Sequence, residues 1–155
     1  MAATMECIHQ FLDQKRFAMV GVSRQPGDFS RSLFGDFLSR GYQTIPVNPD
    51  AQEIDGHACF AHIGDIQPPV EEVLLMTPPA ATDSVVQECA HAGVKRVWMF
   101  RGAGRGSVSE SAVRFCEANG IDVIPGECPY MFLPKEPWFH RFHGLVKRIT
   151  GTYPR

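Results

Sequence analysis

Two stretches rich in glycine and arginine have the residue types and spacing to handle an anion. The first is Gly21-Val22-Ser23-Arg24-Gln25-Pro26-Gly27-Asp28-Phe29-Ser30-Arg31. A turn of small residues opening into a helix aims backbone N–H groups at whatever lies above it, and the helix dipole favours negative charge there. Arg24 and Arg31 add guanidinium groups suited to charge-assisted bonds with phosphate. The alternative is a tight turn with solvated arginines. The second stretch, Arg101-Gly102-Ala103-Gly104-Arg105-Gly106, brings two further arginines. The first stretch is not the GxGxxG fingerprint. Val47-Asn48-Pro49 follows it where a dinucleotide site would want an acid for the ribose hydroxyls. An NAD(P) site is therefore disfavoured.

Other reactive residues lead nowhere so definite. His140 and His143 stand three apart on an expected helix, a spacing that can share a metal. No nearby pair of carboxylates or cysteines completes such a site, so a solvated face beside Lys147 is the expectation, with no metal. Ser107 precedes Glu110 by three residues and reads as a helix cap. No GxSxG elbow surrounds it to make it a nucleophile. The cysteines, Cys7, Cys59, Cys89, Cys116 and Cys128, are odd in number and form no CxxC pair, so reduced, mostly buried thiols are expected. No acid–base pair or triad is legible, and no catalytic residue is assigned.

The elements that must position these residues alternate along the chain. Phe17-Ala18-Met19-Val20-Gly21-Val22 reads as a strand buried on both faces. Leu33, Phe34, Phe37 and Leu38 then recur at helical spacing, with Gly41 as the stop. Thr44-Ile45-Pro46-Val47 reads as a peripheral strand, because Pro46 cannot donate to the ladder. Val73-Leu74-Leu75-Met76 is a third strand, ended by Thr77-Pro78-Pro79. Val85, Val86 and Cys89 mark the next helix, stopped by Gly93, and Val97-Trp98-Met99-Phe100 is the fourth strand. A helix with Val108, Ala112, Phe115 and Cys116 inward runs to Gly120, and Ile121-Asp122-Val123-Ile124 is the fifth strand. An N-terminal helix carries Met5, Ile8 and Leu12. A C-terminal one, over about 137–150, carries Trp138, Phe142, Leu145 and Ile149. Strand and helix in alternation imply an α/β fold: a three-layer, Rossmann-like parallel sheet of about five strands with helices on both faces. Ligands of such sheets bind at the carboxyl ends of the strands, where the strand order reverses.

Composition bounds the partners. At 155 residues, with 44% apolar and 21% charged residues, the chain is expected to form one globular domain. A net charge of -2 argues against a general nucleic-acid binder. The charge is uneven: residues 1–94 hold 5 basic and 12 acidic side chains, and residues 95–155 hold 10 and 5. The basic part could form a positive rim for an anionic ligand. No apolar run approaches the roughly 18 residues of a membrane span. The first residues show no basic leader before an apolar core, so a cytoplasmic location is expected.

In order along the chain, VGVS, PVNP, MTPP, VWMF followed by Arg-Gly, and IPGECPYMF resemble the loops of the small stand-alone CoA-binding proteins. Those share the Rossmann-like CoA-binding domain of the succinyl-CoA synthetase alpha subunit. The resemblance covers about residues 15–132 and implies coenzyme A or an acyl-CoA held across the strand ends. Matched position by position, it implies contacts from Gly21, Val22, Ser23 and Arg24, then Val47, Asn48 and Pro49, then Thr77 and Pro78, then Phe100, Arg101 and Gly102. Arg31 joins them as a phosphate candidate on its charge. Cys128 matches a cysteine typical of the small CoA-binding proteins. Two departures stand out. Asp50-Ala51-Gln52 replaces a lysine that the synthetases carry after the second turn, and the phosphohistidine domain is absent. The expectation is a non-catalytic binding or regulatory module, its protein partner unknown. The alternatives are an NAD(P)-dependent oxidoreductase, a CoA-binding component of an acyl-CoA ligase acting with a partner chain, and a fold whose ligand site has decayed.

Overall fold

Side-chain alternation along the central strands decides the layers. Phe17 and Met19 of β1 (Arg16–Val20) point to one face of a parallel sheet, and Ala18 and Val20 to the other. The same alternation runs through β5 (Glu72–Leu75), β6 (Arg96–Met99) and β7 (Asp122–Pro125), so the sheet needs covering on both sides. The computed structural model describes residues 3–104 and 106–133 and shows that cover. Helices α1 (Met5–Asp13) and α2 (Phe29–Ser39) lie on the Phe17 face, and α3 (Pro79–His91) and α4 (Glu110–Ala118) on the Ala18 face. The fold is α/β and Rossmann-like. Arg105 and residues 134–155 lie outside the described residues, and with them the expected C-terminal helix, His140 and His143.

The two cores differ in chemistry. On the α1/α2 side, Phe17 packs against Phe11, Phe37 and Tyr42, and Phe11 meets Trp98 edge-on at 5.3 Å between ring centroids. Trp98 is fully buried, and its indole N–H donates to the carbonyls of Gly126 at 3.0 Å and Glu127 at 3.2 Å. That bond satisfies the one polar atom of the largest core side chain. On the other side the packing is aliphatic, with Val73, Leu75, Val86, Val97 and Val113 around the thiols of Cys89 and Cys116. Burial pushes the Cys116 thiol up to about 11 and the Cys89 thiol further, so both stay protonated and inert.

Strand order is β2-β1-β5-β6-β7, with β2 (Gln43–Val47) at the edge and every pairing parallel. Pro46 is thus on an edge strand, as its missing donor requires. Beyond it a two-residue hairpin, β3 (Glu53–Ile54) and β4 (His57–Ala58), leads to Phe60, whose N–H donates to the Pro46 carbonyl at 3.1 Å. From β1 the chain steps outward to β2, then returns to place β5 on the other side of β1. The reversal of strand order therefore falls between β1 and β5.

One local expectation is corrected. Helix α4 is capped by Ser109, whose hydroxyl accepts from the Ala112 N–H at 3.3 Å, and not by Ser107. Ser107 is buried, and its N–H donates to the Phe100 carbonyl at 2.7 Å. Gly106, at φ +61°, turns the backbone onto the end of β6 so tightly that a Cβ there would lie 2.1 Å from the Phe100 oxygen. The chain is two residues late in entering its helix because this turn comes first.

Candidate functional site at the carboxyl edge of the sheet

The first loop leaves β1 at Gly21 and enters α2 at Asp28. Gly21 has φ +90°, and a Cβ on it would lie 3.0 Å from the Met76 carbonyl carbon of the loop after β5. Only glycine lets the two loops approach so closely at the strand reversal. The second turn is bound to the first loop as well. The Gly21 N–H donates to the Val47 carbonyl at 3.0 Å, and the Asn48 side-chain amide donates to the Val22 carbonyl at 2.9 Å. Asn48 Oδ1 accepts from the Asp50 N–H at 2.8 Å, so this side chain builds the turn. Val22 and Val47 are core side chains, which leaves only their backbone to a ligand.

The start of α2 is more occupied than a bare helix terminus. Asp28 caps it, accepting from the Ser30 N–H at 2.9 Å and from the Ser30 hydroxyl at 2.7 Å. Ser30 Oγ in turn accepts from the Ser23 N–H at 2.9 Å. Of the two arginines, Arg31 is engaged. It forms a short bidentate pair with Asp55 in the hairpin turn and donates to the carbonyls of Arg24 at 3.0 Å and Ser23 at 3.4 Å. Arg31 therefore clamps the first loop to the β3–β4 hairpin. Arg24 is exposed, with no side-chain partner among the described residues.

Thr77 and Pro78 follow β5. Thr77 is buried, its hydroxyl 2.9 Å from that of Thr82, which donates to the Ser107 carbonyl at 2.7 Å. The loop after β5 is thereby fixed to the loop after β6. In the latter, the Phe100 N–H donates to the Leu75 carbonyl and the Arg101 N–H to the Glu127 carbonyl, both at 3.1 Å. The Phe100 ring lies over Gly102, where a Cβ would sit 3.1 Å from it. Arg101 is exposed. The loops named from sequence thus converge on one edge, cross-linked by backbone and side-chain bonds.

The structure adds residues that the sequence reading passed over. Phe29, the first residue of α2, is 42% exposed. Its ring centroid is 5.4 Å from that of Phe100 and 5.8 Å from that of Tyr130, in the turn after β7. The Tyr130 hydroxyl donates to Asp36 of α2 in a short bond. Burial, then that bond, pushes the phenol above its usual value. Cys128, beside them, is buried. Phe29 precedes Leu33 by four residues, which by spacing alone marks it as core. The signal that separates it is its place directly after the Asp28 cap, at the rim of the sheet. Among the described residues, no group of three or more histidine, cysteine or acidic side chains is placed to hold a metal. No described helix is long and apolar enough to cross a membrane.

Comparison with known proteins agrees with this geometry. The uncharacterized protein YneT of Bacillus subtilis is 28% identical over 114 residues, 74% of this chain and 82% of its own. An acetate–CoA ligase (ADP-forming) of Methanocaldococcus jannaschii is 25% identical over 81 residues, 52% of this chain but only 12% of the ligase. Among solved structures, a hypothetical protein from Pyrococcus horikoshii superposes with a TM-score of 0.74 at 27% identity, covering 80% of this chain and 85% of that one. An acetyl-coenzyme A synthetase of Ca. Korarchaeum cryptofilum, with phosphate and ADP, gives 0.61 at 26% identity, covering 70% of this chain and 25% of the synthetase. The family match spans residues 15–134, and the chain belongs to the CoA binding domain family.

Proposed function

We propose that the chain binds coenzyme A or an acyl-CoA across the carboxyl edge of its sheet, as a binding or regulatory module without turnover of its own. Family membership over residues 15–134, which hold every strand of the sheet, is the observation that carries this reading. The site is consistent with it. The crevice between β1 and β5 is where an open parallel sheet takes its ligand. Arg24 stands beside it as a cation for the ligand's phosphates, with Arg101 on the loop after β6. Gly21, Ser23, Asn48, Pro49, Thr77, Pro78 and Gly102 supply small or uncharged walls. The NAD(P) reading loses ground, because Asn48 is bonded to Val22 and Asp50 and offers no carboxylate to a ribose.

A ligand that binds only the folded chain stabilises it by about 2.7 kcal/mol at a hundred times its dissociation constant. CoA is therefore expected to raise the melting temperature and NAD to leave it unchanged, with native mass spectrometry reporting the bound species. Equal shifts from both would overturn the assignment. The ligase relatives support a second reading, a CoA-carrying component that works with a partner chain. The pure chain is expected to show no acyl-CoA synthetase or thioesterase turnover under either reading. Turnover gained on adding a ligase partner would favour the second.

A further inference from the structure

The apolar rim at Phe29 leaves part of its surface outside the core. An isolated exposed apolar side chain is unremarkable in a soluble protein. The 42% exposed ring of Phe29 lies 5.4 Å from the half-buried ring of Phe100 and 5.8 Å from the buried ring of Tyr130 between centroids, so that two accessible rings backed by a third form a platform instead. Its elements are fixed from behind. The Tyr130 hydroxyl is spent on Asp36, which leaves an uncharged ring in the cluster. Phe100 is seated over Gly102, and Phe29 follows the Asp28 cap directly.

Topology says which end of the ligand meets this platform. The nucleotide half of a ligand on a doubly wound sheet lies toward the strand that follows the first crossover, here β2, with its phosphates at the start of the first helix after β1. The other half extends over the strands beyond the reversal. Phe100 follows β6 and Tyr130 follows β7, both beyond that reversal, and Phe29 sits on the first turn of α2 beside the phosphate loop. The adenosine is thus directed away from the rings, and the pantetheine arm with its thioester toward them.

We propose that Phe29 and Phe100, backed from below by the buried Tyr130 ring, seat the acyl group of an acyl-CoA, so that the chain prefers thioesters with an apolar acyl chain to free CoA. This rests on the CoA reading above and narrows its ligand. Apolar burial makes the preference graded: each methylene laid on the rings is expected to raise affinity about two- to fourfold until the platform is covered.

The test is calorimetric titration of the full chain with CoA, acetyl-CoA, butyryl-CoA and hexanoyl-CoA. Affinity is expected to climb through the series for the wild type. Phe29→Ala should flatten the climb and Phe29→Leu should restore most of it, because the effect depends on apolar area. Melting curves of both variants check the fold, and Phe100→Ala provides a second route to the platform should one of them unfold. A level series in the wild type, with CoA itself bound, would overturn the acyl platform and leave the CoA assignment standing. The same slope in the wild type and in both Phe29→Ala and Phe100→Ala would also overturn it. Failure of every member to bind would overturn the CoA assignment, and the platform with it.

Discussion

The two edges of the sheet use charge in opposite ways. At the amino edge, Arg16, Glu72, Arg96 and Asp122 open four parallel strands, with Glu72 in register with Arg96 and Arg96 with Asp122. These charges are consumed internally. Arg96 donates to Glu72 at 2.5 Å, to Gln10 of α1 at 2.8 Å and to Asp122 at 3.4 Å, and Arg16 donates to the carbonyls of Pro68 and Pro69. Glu72 is 3% exposed and one of its oxygens has no hydrogen-bond partner among the described residues. Burial pushes its carboxyl up to about 7, against the pull of Arg96. At the carboxyl edge the loops turn on glycines, Arg24 is left to solvent and a phenylalanine stands 42% exposed. One edge is closed by its own electrostatics, and the other keeps its surface for something else.

Breaking the amino edge should have the largest effect. Arg96→Ala strands a buried carboxylate, which costs about 3–5 kcal/mol when ionised. The loss should be near full at pH 8 and much smaller at pH 5, where Glu72 already carries its proton. The sign follows from linkage. Folding raises the Glu72 pKa from 4.5 to about 7, so the folded chain keeps a proton that the unfolded chain releases. That contribution is present in full below pH 4.5 and is lost as pH rises through 7. Urea midpoints of the wild type and Glu72→Gln across this range check it, since the variant should lack this component of the slope. CoA affinity at a pH where Arg96→Ala remains folded should be unchanged.

Gly106→Ala tests whether the carboxyl edge is as built as the amino edge. A Cβ 2.1 Å from a backbone oxygen, at φ +61°, forces the loop to move. The expected loss is about 3 kcal/mol, read from denaturant midpoints, with weakened CoA binding because Phe100 and Arg101 move with it. Arg24→Ala should leave stability within about 0.5 kcal/mol, as surface substitutions do. It should weaken CoA about tenfold, or 1.4 kcal/mol, an effect that shrinks with added salt. Unchanged affinity would move the phosphate contacts to the loop after β6. The smallest effect belongs to Asp55→Ala. It releases Arg31 from a half-exposed partner at a cost of about 0.2–1 kcal/mol in melting experiments.

The strands, the helix faces and the loop motifs were legible because each rests on a local signal, whereas the strand order was not read from the sequence. β-branched runs mark the strands, Pro46 marks an edge, and short loop motifs in a fixed order mark the family. Arg31 was not legible, since its partner Asp55 lies 24 residues on, in a hairpin whose two-residue strands carry no periodicity. Ser107 has Glu110 at capping-box distance and Ser109 has Ala112 there, so spacing favoured Ser107, and the true cap depends on a turn at Gly106 that sequence spacing does not express. Phe29 was concealed by agreement with the wrong pattern. It has the spacing of a core residue and the position of a rim residue.

Asp28 bears on which anions can compete for this edge. Its carboxylate already holds the Ser30 N–H, and through the Ser30 hydroxyl it helps hold the Ser23 N–H. A free phosphate or sulfate must displace a tethered rival that never leaves, so its own charge gains little. A long ligand gripped elsewhere presents its phosphate at the millimolar effective concentrations that linkage provides. If CoA binds as proposed, the loop would admit a phosphate according to what is attached to it and would turn the anions of the surrounding buffer away at the threshold.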